Sequence, residues 1–171
     1  GRPIKGPAVN DGKSQTTHAP DTQVTTFEFD SFTAVWEHRQ YAANNAEHTN
    51  VGCYFYGTQR TFHMGWEDGW TFFSAFNKKD TKHEEPTLHM PDKQNIKELW
   101  ADFLSAIKND RRPTCDIEIA HRSTNMRLLG MLSLKLGRSI AWDGDKEAIL
   151  NDDEANKLLS REYRKPYEYP A

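Results

Sequence analysis

Val51-Gly52-Cys53-Tyr54-Phe55-Tyr56-Gly57-Thr58-Gln59-Arg60-Thr61-Phe62-His63-Met64-Gly65-Trp66-Glu67-Asp68-Gly69-Trp70-Thr71-Phe72-Phe73 reads as three strands and two turns. Aromatic and β-branched residues fill the runs 51–56, 61–64 and 70–73, the composition that suits a pleated, packed surface. Gly57-Thr58-Gln59-Arg60 and Glu67-Asp68-Gly69 carry the residue types that close turns. Both connections are too short for a helical crossover, so the pairing is antiparallel.

Upstream, Thr22 to Phe29 and Phe32 to Arg39 flank Asp30-Ser31 and read as a second antiparallel hairpin. Strand side chains alternate, so Phe32, Ala34, Trp36 and His38 share one face while Glu37 and Arg39 share the other. Residues 1–21 contain Pro3, Pro7 and Pro20, with a turn signal at Asn10-Asp11-Gly12. They are expected to form an extended arm ahead of the domain at 22–171. Residues 41–50, around Asn44-Asn45, and the charged stretch Asn77 to Pro91 read as loops.

After Pro91 the period becomes helical. Ile96, Leu99, Trp100, Phe103, Leu104 and Ile107 follow the spacing of one helix face. Asp92 is an N-cap or first-turn acid, and Asn109-Asp110 with Pro113 ends the helix. Covering those six side chains with a sheet contributes on the order of 10 kcal/mol before chain entropy is subtracted. A second helix is expected from about Glu118 or Ser123 to Leu136, closed by Gly137. Its Leu128, Leu129, Met131, Leu132, Leu134 and Leu136 wrap nearly all round, the mark of a helix buried on more than one side. Short strands at Ser139–Trp142 and Ala148–Leu150 flank a turn at Gly144. Asp152 caps a last helix bearing Ala155, Leu158 and Leu159, and a tail from Tyr163 runs extended. Strands first and helices after is an α+β pattern: a large, mainly antiparallel sheet with helices on one face. An aromatic sheet face rarely stays bare, so the other face is expected to serve oligomerisation.

The chain has 171 residues, enough for one domain with a core, and carries a net charge of −3. That balance offers nucleic acid or an anionic membrane no electrostatic footprint. No apolar run approaches the roughly 20 residues that span a bilayer. Cys53 and Cys115 are expected as unlinked, partly buried thiols. His18, His48, His63, His83 and His89 show no zinc spacing. Gly65-Trp66-Glu67-Asp68-Gly69 is a turn outside the strand-loop-helix context of a dinucleotide fingerprint. No Gly-x-Ser-x-Gly elbow occurs.

Two polar clusters remain. Trp36-Glu37-His38-Arg39 puts a carboxylate, an imidazole and a guanidinium together, groups suited to hydroxylated ligands. Its structural reading is cross-strand pairing. Asp116, Glu118, His121 and Arg122 stand where a loop enters the second helix. Such charges cap helices, and they can also line a cleft. The candidate substrate-binding residues are His121 first, then Arg122, Asp116 and His38, with no catalytic, cofactor-binding or metal-binding residue assigned.

The chain resembles the C-terminal domain of the Gfo/Idh/MocA oxidoreductases, the glucose-fructose oxidoreductase and inositol dehydrogenase family. The resemblance rests on the order of several stretches between about residues 20 and 168. These are Pro20-Asp21-Thr22-Gln23-Val24-Thr25-Thr26-Phe27-Glu28-Phe29, Trp36-Glu37-His38-Arg39 and Tyr54-Phe55-Tyr56-Gly57-Thr58-Gln59-Arg60-Thr61. Arg111-Arg112-Pro113, Asp116-Ile117-Glu118-Ile119-Ala120-His121-Arg122-Ser123 and Leu136-Gly137-Arg138 continue the series. The resemblance implies a half-open sheet domain following a Rossmann domain that binds NAD or NADP. It implies a sheet face used for homo-oligomer contact and hydride exchange with a sugar, cyclitol or related polyol.

The family's Glu-Lys-Pro motif and its Asp/His helix are absent from these residues; Arg164-Lys165-Pro166 lies in the wrong context. The expectation is a substrate-binding and oligomerisation domain, inactive alone, with no cofactor in this chain and its Rossmann partner missing. The alternative is a stand-alone carbohydrate- or protein-binding module. The subgroup resembled often carries a twin-arginine export signal, which leaves cytoplasm and periplasm both open.

Overall fold

The computed structural model describes residues 2–3, 20–39, 51–75 and 79–168. In chain order the strands and helices are β1 (Arg2–Pro3), β2 (Pro20–Glu28), β3 (Thr33–Arg39), β4 (Gly52–Tyr56), β5 (Thr61–Gly65), β6 (Trp70–Phe73) and β7 (Lys82–Glu84). Then come α1 (Pro91–Lys108), α2 (Ile117–Leu136), β8 (Trp142–Asp143), β9 (Ala148–Ile149) and α3 (Asp153–Asn156). This is the α+β class. Among the described residues all pairings are antiparallel, and the strands fall into three sheets, ordered β1-β2-β3, β4-β5-β6-β7 and β8-β9. Two compact units result: residues 1–41 with 120–171, and residues 42–119. The expected Asn10-Asp11-Gly12 turn and the 41–50 loop lie outside the described residues.

In the first unit, β2 and β3 pair from Thr22↔Arg39 to Glu28↔Thr33. The hairpin closes through the Phe29 N–H on the Phe32 carbonyl at 3.0 Å, with the two rings stacked at 4.4 Å. Alternation holds as read. The Trp36 indole N–H donates to His38 Nδ1 at 3.1 Å, and Arg39 pairs with Glu37 at 3.1 Å. α2 crosses close over β2 at Gly130, where a Cβ would stand 3.0 Å from Thr25 Oγ1 and 3.1 Å from Thr25 Cγ2. Gln23 is buried there, and its amide donates to Thr25 Oγ1 at 2.8 Å, which fixes the threonine rotamer under the helix.

α2 ends as its glycine predicts. Gly137 takes φ 68, and the Arg138 N–H reaches the Ser133 carbonyl at 3.3 Å, a Schellman close. After it, Asp152 caps α3 through the Ala155 N–H at 3.0 Å. Arg138 holds that cap from outside, bonding both Asp152 oxygens at 2.9 and 2.8 Å and Glu154 at 2.8 Å. Ile149 and Ala155 are fully buried between β9 and α3. Asn156 ties the two together: its Oδ1 accepts from the Ile149 N–H at 2.8 Å, and its Nδ2 donates to the Ile149 carbonyl at 2.7 Å.

In the second unit, Phe55↔Phe62↔Phe72 form a cross-strand ladder on one side of the sheet. Cys53, Met64 and Trp70 share that side by register. β7 corrects the loop expected over 77–91. Its charged Lys82-His83-Glu84 shows no apolar alternation, yet it pairs with β6. Lys82 lies 5.0 Å over Trp70, and Thr71 Oγ1 meets His83 Nδ1 at 2.8 Å. A charged edge strand is how a sheet avoids further pairing, and it is invisible to hydrophobic patterning. Gly69 sits at φ 62, with a Cβ there overlapping the Glu84 carbonyl oxygen, so the β5–β6 turn requires glycine.

α1 starts with Asp92 as a first-turn acid, one of the two expected roles, but differs in its cover. Met90 is the N-cap position and Pro91 follows it, leaving Asp92 inside the first turn. At its other end Asp110 at φ 48 completes a Schellman close, with the Arg111 N–H on the Ala106 carbonyl at 3.1 Å. Its apolar face is expected under a sheet but is exposed, from 44% at Phe103 to 65% at Ile107. The periodicity identified the face correctly; periodicity specifies that a face needs covering, not which surface covers it. Leu128 on α2 is likewise exposed, and so are both cysteines, which are free. The tail turns at Arg164–Tyr167 through a 3.0 Å backbone bond rather than running fully extended.

Two measurements test this account. Asn156→Ala removes both bonds to Ile149 and is expected to cost roughly 2 kcal/mol, seen as a fall of about 5 °C in thermal midpoint. Second, Asp102, Asp143 and Asp152 are held below the usual carboxylate range, mainly by backbone N–H donors from Thr114, Lys146 and Ala155 respectively. Folding therefore favours their ionised forms. Their contribution is present above the ordinary carboxylate pKa near 4 and is lost as pH falls through the lower folded values. Thermal midpoints measured downward from about pH 5 should fall, and Asp152→Asn should flatten that fall.

Candidate functional site

The first helical turns of α2 and the β8–β9 hairpin bring an imidazole and a carboxylate together at the surface. His121 stands in the second turn of α2. Its Nε2 lies 2.7 Å from Glu147 Oε1 and 3.0 Å from the side-chain amide of Asn125. Asn125 is four residues on, one turn along the same helix face. Glu147 arrives from the hairpin turn, where its backbone takes φ 50. Both side chains of the pair are about half exposed, at 47% and 51%. Among the described residues, His121 Nδ1 has no hydrogen-bond partner.

The hairpin that presents Glu147 is built by Asp143. Its Oδ1 accepts from the Asp145 and Lys146 N–H groups at 3.1 and 2.9 Å, and its Oδ2 meets Lys146 Nζ at 3.1 Å. The Lys146 backbone N–H, then its ammonium, holds the Asp143 carboxyl below its ordinary value. An Asx turn of this kind orders a short connection without help from the ladder.

The other sequence candidates are placed as follows. Arg122 is next to His121 on α2, about 100° round the helix, so the two do not face each other. His38 uses both ring nitrogens: Nδ1 accepts from the Trp36 indole and Nε2 meets the Pro20 carbonyl at 3.3 Å. An indole only donates, so the proton sits on Nε2. Asp116 Oδ1 accepts from the Glu118 and Ile119 N–H groups at 2.8 and 3.1 Å, and its Oδ2 lies 3.6 Å from Arg112. That is the capping geometry of the first turn of α2. Of the four candidates, His121 is therefore the one whose ring keeps an open nitrogen beside a carboxylate. Glu147 was missed by sequence reasoning because it lies 26 residues away; Asn125 could have been found from its i+4 spacing.

Beside this cluster an apolar groove of about 550 Å³ runs along α2, lined by Leu128, Leu129, Leu132, Trp142, Leu158 and Leu159. Asn125 also lines it, so the polar cluster and the groove meet at that residue. Among the described residues no three His, Cys, Asp or Glu side chains gather as a metal site, and no helix is long and apolar enough to cross a membrane. The described sheets are antiparallel throughout. Gly65 to Gly69 forms a hairpin turn, closed by the Gly65 N–H on the Gly69 carbonyl at 3.0 Å. These residues do not fit a dinucleotide cradle, which needs a strand-loop-helix with its amides on the pyrophosphate.

Residues 57–169, about two-thirds of the 171-residue chain, match the Gfo/Idh/MocA family described as "Oxidoreductase family, C-terminal alpha/beta domain". No curated protein matches the chain, and no solved structure matches it. The matched span holds β5 to β9 and all three helices, and with them His121, Asn125 and Glu147. The chain belongs to this oxidoreductase family, as its C-terminal alpha/beta domain.

Proposed function

We propose that this domain supplies the substrate-binding and self-association half of an NAD(P)-dependent oxidoreductase acting on a sugar, cyclitol or related polyol. The observation that carries the reading is the His121 cluster inside the family-matched span. An imidazole with one open nitrogen, beside an amide and a carboxylate, offers the donors and acceptors that hydroxyl groups need. Such groups bind and orient a polyol; hydride transfer belongs to the nicotinamide, which a Rossmann domain holds in this reading. The domain alone is inactive.

The self-association half is supported by the β4–β7 sheet. Phe55, Met64, Phe72 and Cys53 are exposed on one side of it. Contiguous aromatic surface of this kind marks an interaction face. Homo-oligomers most often close with two-fold symmetry, each copy presenting the same patch.

Light scattering at tens of micromolar is expected to give a dimer or larger species. Phe55→Asp, half-exposed in the single chain, should weaken that association by tenfold or more, roughly the effect of an interface hot spot, with circular dichroism unchanged. A monomeric wild type rejects the self-association half. NAD and NADP should leave the thermal midpoint where it is; stabilisation by either rejects the division of labour. A carbohydrate response that Phe55→Asp removes and His121→Ala spares would favour instead a binding module working through the aromatic face.

A further inference from the structure

Glu147 is exposed and strained at once. Its backbone sits at φ 50, a conformation that costs a residue with a Cβ and no short polar side chain to offset it. The strain places its carboxylate 2.7 Å from His121 Nε2. A carboxylate only accepts hydrogen bonds, so Nε2 carries a proton and donates it. The Asn125 amide nitrogen stands 3.0 Å from Nε2; a nitrogen that donates does not also accept, so turning that amide over is what brings an acceptor oxygen to Nε2. His121 Nδ1 is then the lone-pair nitrogen, on a side chain that is about half exposed.

We propose that Glu147 is a positioning and specificity residue. It fixes His121 as the Nε2–H tautomer, so that Nδ1 accepts from a hydroxyl of an uncharged polyol, and its charge disfavours phosphorylated or carboxylated sugars at the same place. This rests on the reading of His121 as a substrate contact. Around the carboxylate the hairpin is acidic: Asp143 is already engaged by Lys146, and Asp145 adds a further negative charge. An anion at Nδ1 meets that field across one imidazole ring, while a neutral hydroxyl does not.

The test uses the full chain with ¹⁵N-labelled histidine, titrated with myo-inositol and with inositol 1-phosphate. In wild type, His121 should show a single Nε2–H form. Inositol should shift Nδ1, and the phosphate should bind about tenfold more weakly at low salt, with the gap closing as salt screens it. Glu147→Gln keeps an acceptor, so it should keep the tautomer and the inositol response while losing the discrimination. Glu147→Ala leaves only the Asn125 amide at Nε2, which can turn over to donate as well as accept, so it should loosen the single tautomer towards a mixture and weaken inositol about five- to tenfold. The inference alone is overturned if Glu147→Ala leaves both tautomer and inositol response unchanged. It is equally overturned if wild type takes the phosphate as well as the neutral polyol. If no polyol moves His121 while the tautomer still follows Glu147, the substrate-contact reading and this ligand assignment fall together.

Discussion

One side-chain amide ties the hairpin that carries Glu147 to the helix behind it. The β8–β9 ladder has two residue pairs, and an isolated pair of strands that short has little stability in water. Asn156 supplies what a third strand would: it accepts from the Ile149 N–H and donates to the Ile149 carbonyl. A second bond from its Nδ2 to the Asp152 carbonyl, at 3.0 Å, fixes the amide to the start of α3. Ile149 and Ala155 can then bury against each other, and Arg138 clamps the Asp152 cap to the end of α2. The chain of dependence runs from amide to hairpin, from hairpin to Glu147, and from Glu147 to His121.

Elsewhere the described residues leave much apolar surface in water. Ala106, Ile149 and Ala155 are the buried hydrophobic residues, whereas the α1 stripe and the Phe55 side of the sheet are open. Chain entropy opposes folding by about 1–2 kcal/mol per ordered residue, and small aliphatic burial of this extent does not offset it. The polar devices of the described residues, two Schellman closes, an Asx turn, two N-caps and a bidentate arginine among them, fix geometry locally. They do not replace area removed from water, since exposed ion pairs each contribute at most about 1 kcal/mol. The open faces are therefore the largest apolar area that these residues leave in water, and any surface that covered them would add to stability by removing that area.

What could be read from the sequence was local. Turn residues at 57–60 and 67–69 located β4, β5 and β6, and Gly137 and Asp152 marked a helix end and a helix start that both have the expected bonds. Period-two alternation put Trp36 with His38 and Glu37 with Arg39, and both pairs are in contact. β7 escaped because an edge strand of charged residues has no pattern to detect. The site was half legible. His121 stood out as a titratable group at a helix entry, and Asn125 lay one turn away. Glu147 needed the fold: nothing in local spacing links a hairpin turn to a helix twenty-six residues earlier.

Backbone strain supplies the signal that spacing lacked. Among the described residues, three non-glycine residues take left-handed φ: Asp110, Glu147 and Asn151. Asp and Asn enter that region readily, because their short side chains bond locally to the backbone. Asp110 has the further reason of closing α1. Glu147 has neither excuse, since its carboxylate is spent on His121 rather than on its own turn. Strain that persists without a local benefit is held by the surrounding structure, and such positions cluster where geometry serves a ligand. The Asx turn at Asp143 and the Asn156 clamp are the structure that holds it. A relaxed turn residue such as glycine would fit the backbone better at position 147 and leave the imidazole without its carboxylate.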